Sequence, residues 1–371
     1  MEPLSLPEYP YSKLDDFKRV AGSHAGGVID LSIGTPCDLP PNNVVESLSG
    51  ASGLNGYPSS SGSSVLIESC SKWINRTFDV ELKSDEISIC VGTKEMVASL
   101  PHFLKRRDPS KDTVLYPELS YPTYAMGALI AGCRAVPVQV NSDFTMNLES
   151  IEKSDLDRAL LLWTNSPGNP AGQLEDLEKI YSWSKAHGVL VASDECYCAF
   201  TYASSPRSIL QSGKRNVLAI HSLSKRSNLA GARVGFYCGD PEIVSYLSLL
   251  RMHAGLMVAG PIQEAAALAY DDEEHVLAQK YRYTSRLESL MRSFSVLGCK
   301  ADFPGGGLYL WAKVPEEFTS AWDFAGNLAS SIGVIVSPGD LYGRSGSSYI
   351  RVAAVQPDEK IFEIEQRILT R

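Results

Sequence analysis

Lys225 and Arg233 stand eight positions apart, with Gly231 between them, behind the apolar run 217–220 and the hydroxyls of Ser222 and Ser224. A lysine that reacts as a nucleophile must be neutral, and a desolvated site makes it so. An arginine fork beside serine hydroxyls suits a phosphate. One short segment could therefore grip a single ligand at two ends: a carbonyl carbon on the Lys225 amine and a phosphate on Ser222 and Arg233. A basic surface loop has the same composition, so the segment decides nothing by itself.

Other apolar runs end in equally suggestive residues. Run 87–91 leads into Gly92, Thr93 and Lys94, a turn opening a helix, and free N–H groups at a helix start attract anions. Run 113–116 leads into a loop bearing Tyr121, which could stack on a flat heteroaromatic ring. Run 159–163 leads into Asn165-Ser166-Pro167-Gly168-Asn169-Pro170-Ala171-Gly172, a strong turn sequence in which an asparagine can donate to a phenolate oxygen. Run 189–192 leads into Asp194 and, three residues on, Tyr197. An acid at the end of an apolar strand is costly to bury without a partner, and a protonated pyridine nitrogen is one. Each feature has a plain structural reading: a turn, a helix cap, a buried tyrosine. Together they make a complete set of contacts for pyridoxal 5′-phosphate.

This set resembles the class I/II aminotransferases of the fold-type I pyridoxal phosphate enzymes, over nearly the whole chain. The resemblance implies Lys225 as the catalytic lysine that carries the cofactor. It implies Thr93, Lys94, Ser222 and Arg233 on the phosphate, Tyr121 on the ring face, and Asn169 and Tyr197 on the ring oxygen, with Asp194 on the ring nitrogen. Tyr57, in Leu54-Asn55-Gly56-Tyr57-Pro58, matches the tyrosine that family members reach across a homodimer to the neighbouring phosphate. Arg351 matches the clamp for the substrate α-carboxylate, and Gly34 the small residue beside it. Ser166 and Ala171 depart from the family's usual Pro and Thr, which leaves the turn's own hydrogen bonding open.

A closer likeness joins Asp194-Glu195-Cys196-Tyr197, the run 221–231 and Ser337-Pro338-Gly339-Asp340-Leu341-Tyr342-Gly343 to the actinobacterial N-succinyldiaminopimelate aminotransferases. It implies glutamate as amino donor and N-succinyl-2-amino-6-oxopimelate as acceptor, a step in lysine and diaminopimelate synthesis. That acceptor carries carboxylates at both ends, so a second cation should meet the far end. Arg226, Arg251 and Lys94 are the candidates, a surface charge being the plainer role for the two arginines. An aspartate- or alanine-type aminotransferase and a pyridoxal-dependent C–S lyase would share the core motifs. A DNA-binding regulator would need a further unit ahead of the large domain.

The elements that position these residues follow from periodicity. Short apolar runs at 87–91, 113–116, 135–140, 159–163, 189–192, 217–220 and 234–238 alternate with helical stretches such as 94–104 and 174–187. That pattern predicts an α/β fold with a mostly parallel seven-stranded sheet buried on both faces. Such sheets bind ligands at the carboxyl ends of their strands. Beyond residue 250 helices and strands mix, which predicts a smaller α+β domain. We expect a large cofactor-binding domain at 46–250, and a small domain made of 1–45, including an N-terminal arm, and 251–371.

Composition narrows the partners. A net charge of −9 argues against nucleic acid, and no apolar run reaches the roughly 20 residues of a membrane span. The eight cysteines are scattered without a C-x-x-C pair, and the six histidines show no metal-ligand spacing. With no signal-peptide pattern at the start, the expectation is a cytoplasmic homodimer without a metal, acting on small amino and oxo acids.

Overall fold

The computed structural model describes residues 10–50 and 54–370. The first nine residues of the expected arm lie outside that range. The central sheet contains β1 (Ile87–Cys90), β2 (Thr113–Pro117), β3 (Arg134–Val138), β4 (Ala159–Asn165), β5 (Leu190–Asp194), β6 (Val217–Ser222) and β7 (Gly235–Gly239). Their order is β1-β7-β6-β5-β4-β2-β3. β7 alone runs antiparallel to its neighbours, so the expected mostly parallel seven-stranded sheet is present.

Both faces of this sheet are covered, which is why its strands read as continuous apolar runs rather than alternating ones. Successive side chains still point to opposite faces. Leu162, Val191 and Ala219 enter one core cluster, while Leu161, Ala192 and Leu218 enter the other. Edge strand β3 is the most exposed of the seven. It carries Pro137, tolerable where no further strand needs an N–H. The expected run 135–140 ends early there: beyond Val138, Val140 makes only an isolated bridge to Met146. Helices Thr93–Arg107, Thr123–Ile130 and Leu177–His187 follow β1, β2 and β4.

A second sheet holds β8 (Tyr309–Lys313), β9 (Ser337–Pro338) and β10 (Tyr349–Ala353), antiparallel in the order β9-β10-β8. Helices Glu274–Val296, Ala321–Ile332 and Asp358–Leu369 pack over it around a separate core cluster. The extended segment 333–337 divides between two sheets because it changes partner. Val334 and Ile335 pair with Ile29 and Asp30, whereas Ser337 pairs with Arg351. The first of these pairings ties residues 29–30 to the C-terminal unit. Helix Gly260–Asp271 lies beyond the expected boundary at 250, yet its buried Ala265, Ala269 and Tyr270 belong to the core of the large sheet. No helix among the described residues is long and apolar enough to cross a membrane.

Candidate active site

Parallel register sets the strand ends level. Asn165 pairs with Asp194, and Asp194 with Ile220, two residues short of Ser222. A cavity of about 380 Å³ opens at this carboxyl edge, between the two sheets. Of the residues expected on the cofactor and the substrate α-carboxylate, all but Tyr57 line it: Gly34, Thr93, Lys94, Tyr121, Asn169, Asp194, Tyr197, Ser222, Lys225, Arg233 and Arg351.

Asp194 sits at the floor, 7% exposed. One carboxylate oxygen accepts from the Tyr124 hydroxyl at 2.8 Å, the other from the Cys196 N–H at 3.2 Å. Burial pushes its pKa up, and these two bonds partly offset the shift. Asn165 ties the neighbouring turn to the same strand. Its amide donates to the Asp194 carbonyl at 2.7 Å and its oxygen accepts from the Asn169 N–H at 2.8 Å. Asn169 is thereby fixed beside the acid. The departure at Ser166 is accommodated, since its hydroxyl accepts from the Glu175 N–H at 3.1 Å.

At the other end, the hydroxyl of Ser222 caps the short helix Leu223–Arg226 by accepting from the Ser224 N–H at 3.1 Å. Arg233 reaches the same region over Gly92. A Cβ on Gly92 would lie 2.2 Å from the Arg233 guanidinium, and the Gly92 φ of +74° is itself unfavourable for any other residue. Thr93 begins the helix after β1, and its hydroxyl accepts from the Cys196 thiol at 3.4 Å. Helix starts, serine hydroxyls and an arginine thus converge on one anion-sized region.

Lys225 Nζ donates to the Gly34 carbonyl and has no carboxylate partner among the ion pairs described. Burial, then the Arg351 charge, pushes its pKa down to about 8. At pH 7.5 roughly a quarter of such amines are neutral, against roughly 0.1% of ordinary lysines. Arg351 is 2% exposed. It donates to Asn169 Oδ1 at 2.8 Å and to the Ser32 carbonyl at 2.5 Å. Its guanidinium carbon lies 4.0 Å from the Tyr309 ring centre and 4.6 Å from that of Tyr342.

Three expected residues stand elsewhere. Tyr57 is 99% exposed and does not reach the cavity of its own chain. Arg226 and Arg251 are neither surface charges nor cavity residues: they are 2% and 1% exposed. Arg226 donates to Glu273 at 2.7 Å and to the Ala269 carbonyl at 2.6 Å. Arg251 makes a two-pronged pair with Glu95 at 2.9 and 2.6 Å. Both direct their terminal Nη atoms at acceptors within the protein. Of the three candidates for a distal contact, only Lys94 lines the cavity.

Sequence reasoning missed Tyr11, Tyr124, Asn165 and Tyr309, which also line the cavity. Asn165 and Tyr124 follow apolar runs as closely as the residues that were chosen. Tyr309 shares a strand face with Trp311, which pairs with Arg351, but only the fold reveals that pairing.

Fold and site together define an enzyme of amino-group transfer. The family model "Aminotransferase class I and II" matches residues 26–368, and the chain belongs to that family. Its cofactor is pyridoxal 5′-phosphate. A Mycobacterium tuberculosis protein named "Probable aminotransferase" is 38% identical, covering 96% of this chain and 84% of its own. A 4-dedimethylamino-4-oxo-anhydrotetracycline transaminase of Streptomyces rimosus is 35% identical, covering 98% and 99%. An LL-diaminopimelate aminotransferase of Aquifex aeolicus is 33% identical, covering 98% and 96%. Among solved structures, substrate-bound BacF of Bacillus subtilis superposes with a TM-score of 0.91 at 26% identity, covering 100% and 98%. The cavity fits the cofactor: a buried acid at one end suits a ring N–H⁺, and the region around Gly92, Ser222 and Arg233 suits a phosphate.

Proposed function

We propose that this cavity moves an amino group from glutamate to N-succinyl-2-amino-6-oxopimelate, alternately loading and unloading the cofactor. The observation that carries the reading is that one cavity is lined by a lysine with a depressed pKa and a fully buried arginine, neither paired to a carboxylate among the described residues. A neutral amine is the base that a Cα proton needs, and a desolvated guanidinium is the partner that a substrate carboxylate needs.

Bound pyridoxal phosphate supplies an electron sink for the pair left when the Cα proton departs. Asp194 holds the ring nitrogen protonated. Asn169 and Tyr197 donate to the ring oxygen, and Tyr121 covers one ring face. Ser222, Arg233 and the backbone of Thr93 and Lys94 hold the phosphate. Arg351, with Gly34 beside it, orients the α-carboxylate so that the Cα–H bond faces Lys225. Lys225 Nζ would accept that proton as base and then serve as the acid that gives it back. Lys94 meets the distal carboxylate. Tyr57, so exposed in its own chain, completes the phosphate site of a partner in a homodimer.

The acceptor rests on the sequence likeness to succinyldiaminopimelate aminotransferases and on a relative named for LL-diaminopimelate. The test loads the holoenzyme with glutamate, follows the cofactor absorbance, and asks which oxo acid restores it. N-succinyl-2-amino-6-oxopimelate is expected to react at least tenfold faster than pyruvate or oxaloacetate. Equal or slower reaction rejects that acceptor. A preference for pyruvate or oxaloacetate makes this an alanine- or aspartate-type enzyme, and pyruvate released from cystathionine makes it a C–S lyase.

A further inference from the structure

Tyr309 touches both halves of the site. It lies on β8, buried at 3% exposure, in the same small sheet as Arg351 and apart from the large-sheet strand ends that carry Asp194 and Ser222. Its hydroxyl is 3.0 Å from that of Tyr197, and either oxygen can be the donor. Its ring face lies 4.0 Å from the Arg351 guanidinium carbon. The chain makes room for it at Gly34, where a Cβ would fall 2.0 Å from the Tyr309 oxygen. A glycine kept clear, a guanidinium on one face and a hydroxyl on the rim leave this ring little freedom.

We infer that Tyr309 is a positioning residue that braces the α-carboxylate clamp and the ring-oxygen ligand with one side chain. The inference rests on the roles proposed above for Arg351 and Tyr197. Two hydroxyls at 3.0 Å share one hydrogen. When Tyr197 directs its own proton at a ring oxygen, the shared hydrogen comes from Tyr309, and a chain of donors polarised in one direction strengthens each link. Burial raises the Tyr309 pKa, and the Arg351 charge over its ring partly offsets that shift. The same ring face attracts the guanidinium, by a cation–π contact strengthened by burial. The hydroxyl thus serves the cofactor side and the ring serves the substrate side, and the two can be removed separately.

The experiment compares Tyr309→Phe, Tyr309→Leu and Tyr197→Phe holoenzymes. It reads the pH midpoint of the bound cofactor's visible absorbance, the glutamate KM and kcat, and the melting temperature. Tyr309→Phe keeps the ring and is expected to raise the midpoint by about half a unit with glutamate KM within about twofold. Tyr309→Leu is expected to raise the midpoint equally and to raise KM a further fivefold or more. Tyr197→Phe is expected to shift the midpoint upward by more than either. An unmoved midpoint in Tyr309→Phe, with Tyr197→Phe shifted, overturns the role of Tyr309 and leaves the site reading standing. Unmoved midpoints in both overturn the site reading itself. Equal KM values in Tyr309→Phe and Tyr309→Leu overturn the bracing of Arg351.

Discussion

Arg351 and the pair Arg226 and Arg251 are buried to the same degree, at 1–2% exposure, yet they sit in two different kinds of environment. Away from the cavity lining, Arg226 and Arg251 each meet a carboxylate, Glu273 and Glu95. On the cavity wall, Arg351 meets an amide oxygen, a carbonyl and two tyrosine faces. Burying a charge is tolerable only when something compensates it. For the first two the compensation is built into the chain. For Arg351 the full counter-charge is left to a ligand. What separates a structural arginine from a binding one here is the sign of its neighbours, since depth is equal.

Lys225 belongs with Arg351 on the wall side of this contrast, and altering it should have the largest effect. Lys225→Ala is expected to lower turnover on the order of 10⁴-fold, read as the rate of cofactor absorbance change with glutamate. The same substitution should stabilise the cofactor-free protein. Because the folded pKa is about 8 and the unfolded one 10.5, the unfolded chain binds more protons between those values. Wild-type stability therefore carries a penalty below pH 8 that fades as pH rises to 10.5. The variant is expected to gain about 3 kcal/mol at pH 7 and to lose that advantage at alkaline pH, measured by denaturant titration.

Arg351→Ala comes next. Loss of a desolvated charge-assisted pair should cost on the order of 10²–10³-fold in glutamate kcat/KM, with the melting temperature nearly unchanged because no protein carboxylate is orphaned. Arg251→Met should do the reverse. It strands Glu95 and is expected to cost about 3 kcal/mol of stability in chemical denaturation, while the glutamate KM of the folded fraction stays within twofold. If Arg251→Met raised KM as Arg351→Ala does, the division between wall and interior would collapse.

Lys94→Met is the smallest and sharpest of these tests. Lys94 is exposed, so its contact with a distal carboxylate should be worth about 1 kcal/mol. The expected outcome is a roughly fivefold higher KM for the two-ended acceptor and no change for pyruvate. An equal effect on both would show that Lys94 acts through the phosphate alone.

These contrasts also explain which parts of the site the sequence could reveal. Lys225, Asp194 and Asn169 were legible because each follows an apolar run within a few residues, and parallel register then brings the strand ends together. Arg226 and Arg251 were misread because their partners lie 47 and 156 residues away, and no local pattern announces a partner at that distance. Tyr309 was missed for the same reason, its contact with Tyr197 spanning 112 residues across two sheets. The large sheet showed itself in continuous apolar runs. The division of 333–337 between two partners did not, since one extended segment can pair first on one side and then on the other.

The central claim is that Arg351 binds the substrate carboxylate while Arg226 and Arg251 serve the fold. Glutamate titration of the holoenzyme, read by cofactor absorbance, tests it most directly. Half-saturation should occur at the same glutamate concentration in wild type, Arg226→Met and Arg251→Met, and at a concentration raised at least thirtyfold in Arg351→Ala, as about 2 kcal/mol of lost binding requires. Half-saturation of Arg351→Ala at the wild-type concentration would contradict the account.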